Sequence, residues 1–293
     1  MNGRDALNTV QVPEPYRELF LRAQEYVSRY FSDRSDDPTH GSITISGERY
    51  ILVRAAAMSV EFFDLVTSLY RDKAKDEAHA VAKNLLFDLA HAIGKSDARV
   101  FQSRMGVVDP LACLSAGPVH FAYAGWANVL IHPESRPTPD DEFFLLYDHP
   151  YSFEADSWLR RGERATFPVC VMNSGYSSGW CEDAYGFPLV AAEVTCRAMG
   201  DEQCRFVMAP PGRIEAQLAI VASRSALDRP PAQRLGEVIP IEVPEFFQRK
   251  RMEDALRASN EALERRVLER TVELERANAA LMAQMLERQR AEE

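Results

Sequence analysis

Apolar positions along the chain fall into blocks of different period, and the changes of period mark its organisation. Residues 14–31 (EPYRELFLRAQEYVSRYF) place Leu19, Ala23, Tyr26 and Tyr30 at helical spacing, which predicts a helix packed on the rest of the domain or on a partner chain. The polar run SDRSDDPTHG, residues 32–41, reads as a linker. SITISGERYILV then gives two short β-rich runs about Ser46–Gly47–Glu48, the pattern of a hairpin. Helical spacing returns at 57–71 and 75–94, and Gly94 is expected to end the second helix as a C-terminal cap. Across 115–170, aromatic, β-branched, Pro and Gly residues mix, predicting strands and loops with one helix near 152–161.

From Cys170 the pattern changes again. VMNSGYSSGWCEDAYG is rich in small residues, and Gly175 with Gly179 would let a helix come close to a neighbouring element. FPLVAAEVTCRAMGDEQCRFVMAP reads as two strands joined by Met199–Gly200–Asp201–Glu202, and Pro210 and Pro211 close the domain. Residues 213–248 form a mixed connector with two further Pro clusters. The tail from Arg249 has no Gly or Pro; Asn260, Val267, Leu274 and Leu281 recur every seven residues. Leu256 and Leu263 fall on the complementary line, which Arg270, Ala277 and Gln284 weaken further on. This is a coiled-coil pattern over about four heptads. The alternative, a single solvated helix lying on the domain, would leave the leucine stripe exposed. The expected regions are a helical dimerisation segment over 1–40, a ligand-sensing domain over 41–209, a connector over 210–248 and a coiled-coil helix over 249–293.

Charge then narrows the class. The balance of 34 basic against 44 acidic residues, net −10, argues against a general nucleic-acid surface, and 46% hydrophobic residues suffice for a sizeable core. No apolar run approaches the roughly 20 residues that span a bilayer, and MNGRDALNTVQVPEP lacks the apolar core of a signal peptide. A cytoplasmic protein with reduced thiols and no membrane contact is expected. Of the five cysteines, Cys170, Cys181, Cys196 and Cys204 fall within 35 residues, and Cys113 stands apart. In a reducing compartment such clustering favours a metal over disulfides.

Cys196 and Cys204 bracket the turn of the expected hairpin, a placement that can bring two thiolates to one ion. Cys170 is the natural third ligand, and Glu193 can supply an oxygen. Residues three apart on a straight strand face opposite ways, so Glu193 and Cys196 can share an ion only through a bulge or at the strand's end. By spacing alone the alternative is a set of ordinary buried cysteines, which behave as small hydrophobes.

PVCVMNSGYSSGW (168–180), AAEVTCRAMGDEQCRF (191–206), GPVHFAYAG (117–125) and HPYSFEAD (149–156) resemble the vinyl-4-reductase (V4R) domain, in the version that serves as sensor of phenol- and xylene-responsive bacterial activators of the XylR type. The resemblance covers about residues 41–209. It implies a mixed α/β (α+β) fold, dimerisation through an N-terminal region and a structural Zn2+, whose ligands fall in register on Cys170, Glu193, Cys196 and Cys204. Cys113 and Cys181 are left as packing residues. In the sensing pocket, Phe121 stands where the family's GP-x-x-H motif has its phenol-binding histidine, with His120 one residue before it. His149 replaces the pocket tryptophan, and Trp180 stands at the second tyrosine of GYASGY. A pocket lined by Phe121, Tyr147, His149 and Trp180 would hold a small hydrophobic or aromatic molecule. Tight phenol binding is not expected unless His149 takes the polar role.

No Walker loop, Rossmann fingerprint or kinase motif occurs, and three thiolates with a carboxylate make a closed set suited to structure more than to catalysis. The chain is not expected to be an enzyme. ERTVELERANAAL resembles the signalling helices that lead into histidine kinases or diguanylate cyclases, and the sequence stops before any such output domain. The expected protein is a homodimeric sensor module, cut before its output, that passes a ligand's presence through the coil. A binding or carrier protein for a hydrophobic compound or tetrapyrrole is the alternative.

Overall fold

The computed structural model describes residues 7–72, 74–162, 164–228, 259–276 and 278. The chain divides into two units, Met1–Phe246 and Phe247–Glu293. In the first, the elements run β1 (Val10–Gln11), α1 (Arg17–Ser32), β2 (Arg34–Asp37), β3 (Ser42–Ile45), β4 (Glu48–Tyr50), α2 (Val60–Leu69), α3 (Lys75–Met105), α4 (Pro110–Ala124), β5 (Ala127–Ile131), β6 (Leu145–Ser152), α5 (Phe153–Arg161), α6 (Val171–Tyr185), β7 (Val190–Thr195), β8 (Cys204–Ala209) and α7 (Ile214–Asp228).

The mixed α/β class holds. Five strands form the main sheet in the order β1-β5-β6-β8-β7, antiparallel except where β1 joins β5 in parallel. β7 is buried at all six positions, so both its faces are covered; α6 and α7 pack against it. α4 and α6 lie on the sheet, α3 packs along α6, α1 on α4 and α2 on α3. Phe63, Phe87, Phe101, Tyr176, Trp180 and Phe206 are among the largest fully buried side chains. The α3–α6 seam is close. A Cβ on Gly94 would stand 2.2 Å from the Tyr176 carbonyl oxygen, and on Gly179 2.1 Å from that of His91. The closeness expected of Gly175 and Gly179 is therefore observed.

Several local expectations are corrected. Gly94 lies inside α3 and does not end it; the helix runs on to Met105 and stops at Gly106, whose φ is +65°. Its glycine serves a close contact, which the sequence of one helix cannot reveal. The inward stripe of α1 is Phe20, Ala23, Val27 and Tyr30, turned from the expected line so that Leu19 and Tyr26 are only half-buried. The polar run 32–41 contains β2, which pairs with β3 from Arg34↔Ile45 to Asp37↔Ser42, backbone pairing that side-chain polarity does not advertise. The hairpin at 46–47 is present, with positive φ at both Ser46 (+49°) and Gly47 (+81°), as a two-residue turn of type I′ requires. β4 nevertheless stops at Tyr50, leaving Ile51, Leu52 and Val53 exposed.

The GPVHFAYAG segment, expected among strands and loops, is helical. Asp109 caps α4 by accepting from the Ala112 amide at 2.8 Å, and Pro110 occupies the first turn. Pro118 sits inside this helix and removes one amide donor without ending it. The stretch expected as a connector opens with α7, whose Ile214, Leu218 and Val221 are buried.

In the second unit residues 259–276 are helical and leave Leu263, Val267 and Leu274 at 57%, 58% and 61% exposure. Leu256, Ala277, Leu281 and Gln284 of the expected heptad pattern lie outside the described residues.

Candidate functional site

Glu193, Cys196 and Cys204 come from β7, the turn after it and the start of β8, while Cys170 stands at the N-terminus of α6. Their candidate ligand atoms all lie within 4.8 Å of one another, and all four residues are buried. The pairing of Glu193 with Cys196 is solved in both ways open to it: β7 shifts register between Glu193 and Thr195, and ends just before Cys196. Cys170 Sγ is 3.5 Å from Cys204 Sγ, and the Cys170 amide donates to Glu193 Oε2 at 2.8 Å. The Arg197 amide donates to Cys204 Sγ at 3.4 Å.

Burial pushes the Cys170 thiol and the Glu193 carboxyl well above their usual ranges. Cys196 moves the other way: burial opposes ionisation, but hydrogen bonds from Cys170 and Cys204 draw it down. Glu193 Oε1 is buried with no hydrogen-bond partner among the described residues. Three thiols and an orphaned carboxylate oxygen around one point fit a tetrahedral cation of the zinc type. Cys181, on α6 and pushed up to about 12 by burial, lies outside this group, as does Cys113.

A second feature lies next to it. β6 turns Tyr147 and His149, two apart, toward α4 and α6. With Phe121 and Trp180 they line a cavity of about 30 Å³. The four expected pocket residues are thus brought together. Their polar atoms differ in availability. Trp180 Nε1 donates to the Cys113 carbonyl at 3.0 Å. Ser177 Oγ donates to the Asn173 carbonyl at 2.8 Å, so the 2.7 Å contact between Ser177 and Tyr147 is a donation from the tyrosine. His149 is fully buried, and among the described residues neither ring nitrogen has a hydrogen-bond partner. Burial lowers its pKa to about 3, so the imidazole is neutral and offers one donor and one acceptor. Phe121, Tyr147 and Phe206 surround its ring, with centroids 5.7, 5.4 and 4.4 Å away.

His120 lies on α4 one residue before Phe121, where a helical turn of about 100° separates the two. Its Nδ1 is 2.9 Å from the Tyr176 hydroxyl, which donates to Asp97 Oδ2 at 2.8 Å. With that hydroxyl proton committed to Asp97, His120 Nδ1 is the donor. Burial raises Asp97 to about 6 against the effect of this hydrogen bond, and lowers His120 to about 3. Sequence reasoning missed this chain, although Tyr176 and Trp180, four apart on one helix, share a face. It also missed Glu154, which is fully buried and accepts the Met172 and Asn173 amides at 2.9 Å each, closing the N-terminus of α6 beside Cys170. Burial raises its pKa to about 8, against the pull of these amides.

Residues 35–134 match the family model described as activator of aromatic catabolism, and residues 151–210 match the V4R domain. Phenol regulator MopR of Acinetobacter guillouiae is 24% identical over 174 residues, 59% of this chain and 30% of that protein. Transcriptional regulatory protein XylR of Pseudomonas putida is 26% identical over 126 residues, 43% of this chain and 22% of that protein. The match therefore spans less than a third of either relative. The phenol-responsive sensory domain of the transcription activator PoxR, solved with phenol, shares the fold with a TM-score of 0.56 and 22% identity, covering 74% of this chain and 99% of that one.

Proposed function

The chain carries a XylR-type sensory region with a V4R segment, and from that premise we propose that it is a regulatory module that binds a small aromatic molecule between α4, α6 and the sheet. MopR is a phenol regulator and the PoxR domain is phenol-responsive, which supports an aromatic ligand here. The observation that carries the reading is His149: a fully buried imidazole with no hydrogen-bond partner among the described residues, lining a cavity in which Tyr147, Tyr176, Ser177 and Trp180 already have hydrogen-bond partners. Phe121 has no hydrogen-bonding atom, so the polar role falls to His149. The preferred ligand is an aromatic ring with a single hydroxyl or similar group. A cavity of about 30 Å³ is well below the roughly 150 Å³ that holds benzene, so lining side chains move outward when the ligand enters. The same small volume disfavours a tetrapyrrole carrier.

In this reading Cys170, Glu193, Cys196 and Cys204 hold a structural Zn2+ and tie the start of α6 to β7 and β8. The module works as a homodimer through its N-terminal segment and a parallel coiled coil over 249–293, and drives an output domain of the histidine-kinase, diguanylate-cyclase or activator kind. It performs no catalysis itself. The domain limits 1–40, 41–209, 210–248 and 249–293 belong to this proposal.

Calorimetric titration of the purified chain with phenol and with toluene tests it. Phenol should bind, and His149→Phe should weaken it about 5–150-fold, the cost of burying an unpaired hydroxyl, while toluene binding persists. Absence of phenol binding at millimolar concentration, or an unchanged affinity in the variant, would sink the reading.

A further inference from the structure

A second cavity, of about 350 Å³, opens between α2, the start of α3, α5 and residues 164–167. That is within the range of about 300–1,000 Å³ typical of small-molecule sites. Its lining is unlike that of the first. Among the described lining residues Arg71, Lys75, Arg161 and Arg164 supply four cations, against one carboxylate, Asp64, which is 2.6 Å from Arg161. Such an excess stands out in a chain whose net charge is −10. Asp76 and Glu77, in the first turn of α3, are not part of the lining.

The remaining walls are aromatic. Phe63 meets Trp158, Phe167 and His79 at ring-centroid distances of 5.7, 5.2 and 5.6 Å, and Phe167 lies 4.9 Å from His79. Lys83 Nζ sits 5.0 Å from the Phe167 ring centroid. His79 lines the cavity, is 7% exposed and has no hydrogen-bond partner among the described residues. A flat apolar body fits the aromatic walls and an anionic head fits the cationic rim. The guanidinium groups favour a planar, two-oxygen head, which they can meet with paired hydrogen bonds.

We infer that this cavity is a second ligand site, distinct from the His149 pocket, that accepts a planar aromatic carboxylate. The carboxylate lies among Arg71, Lys75 and Arg164, and the ring packs against the wall that Phe63, Phe167 and His79 form together. The site shares no lining residue with the His149 pocket. It touches α5, which continues directly from the strand that carries His149, and the first turns of α3.

Calorimetric titration of the full chain with 2-naphthoate is the test. One molecule should bind per chain, and the neutral 2-naphthamide should bind at least about tenfold more weakly, the worth of one charge-assisted hydrogen bond. Arg71→Gln combined with Lys75→Gln, both on exposed side chains, should weaken naphthoate by a similar factor while phenol titrates as in the wild type. In a histidine side-chain NMR spectrum, naphthoate should shift the resonance that disappears in His79→Gln. Equal affinity for acid and amide, indifference to the double substitution, competition by phenol for the same site, or failure to bind at millimolar concentration would each overturn the assignment.

Discussion

Glu193 and Cys196 lie three apart, and a regular strand would hold them on opposite faces. They meet because the strand slips register after Glu193 and ends before Cys196. The backbone irregularity is thus the device that assembles the cluster, and a metal bound there would hold the slip in place. One zinc per chain is expected by elemental analysis of the purified protein. Because thiolate ligation couples metal binding to folding, Cys196→Ala should lose the metal and the cooperative thermal transition. Cys181→Ala, outside the cluster, should keep both and cost about 1 kcal/mol. Loss of zinc in both variants or in neither would count against the ligand set. At this scale much was legible. The register of the cysteine motif and the pocket positions named the residues that the fold brings together. The His120–Tyr176–Asp97 chain was not, because Asp97 lies 79 residues from Tyr176 and its partner stood on a segment not recognised as a helix.

Between α3 and α6 three glycines take the place of side chains. Gly179→Ala would put a methyl group 2.1 Å from the His91 carbonyl carbon's oxygen, which is backbone and cannot swing aside. Overpacking of this kind typically costs about 1–3 kcal/mol and occasionally more, so the urea midpoint of this variant should fall clearly. Gly186→Ala, at a helix end with open space around it, is the comparison: its cost should come only from its positive φ of 76° and should be about 1 kcal/mol. A midpoint for Gly179→Ala equal to wild type would mean the helices are not seated as described. The composition of α6 made its close approach legible. Gly94 was read wrongly because the same residue type ends helices and admits neighbours, and only the neighbour decides which. α4 was hidden for a related reason, since Gly117–Pro118 reads as a break, yet Asp109 and Pro110 start a helix strong enough to run through it.

Among the described residues no helix is long and apolar enough to cross a membrane. In the second unit, Leu263, Val267 and Leu274 are exposed along the helix of a single chain, an apolar stripe that pairing with a second copy would cover. Val267→Cys should therefore form an inter-chain disulfide under mild oxidation, and Glu269→Cys, off the stripe, should not. Equal yields at both positions would remove the coil. Heptad spacing made this stripe legible, whereas the pairing of β2 with β3 and the seating of α7 on the sheet depend on partners that spacing does not encode. In the first unit, α3 is 31 residues long, about 46 Å at the helical rise. Near its start it borders the cationic cavity through Lys75 and His79; midway it is keyed to α6 at Gly94; near its end Arg104 bonds the Ser46 carbonyl and Glu48 of the hairpin at 2.9 and 2.6 Å. Interlocked backbones leave little slack, so α3 is expected to move as one piece. If a guest in the His149 pocket displaced α6, part of that work would then be felt at the hairpin, and by reciprocity anything that grips the hairpin would adjust how readily the guest is admitted.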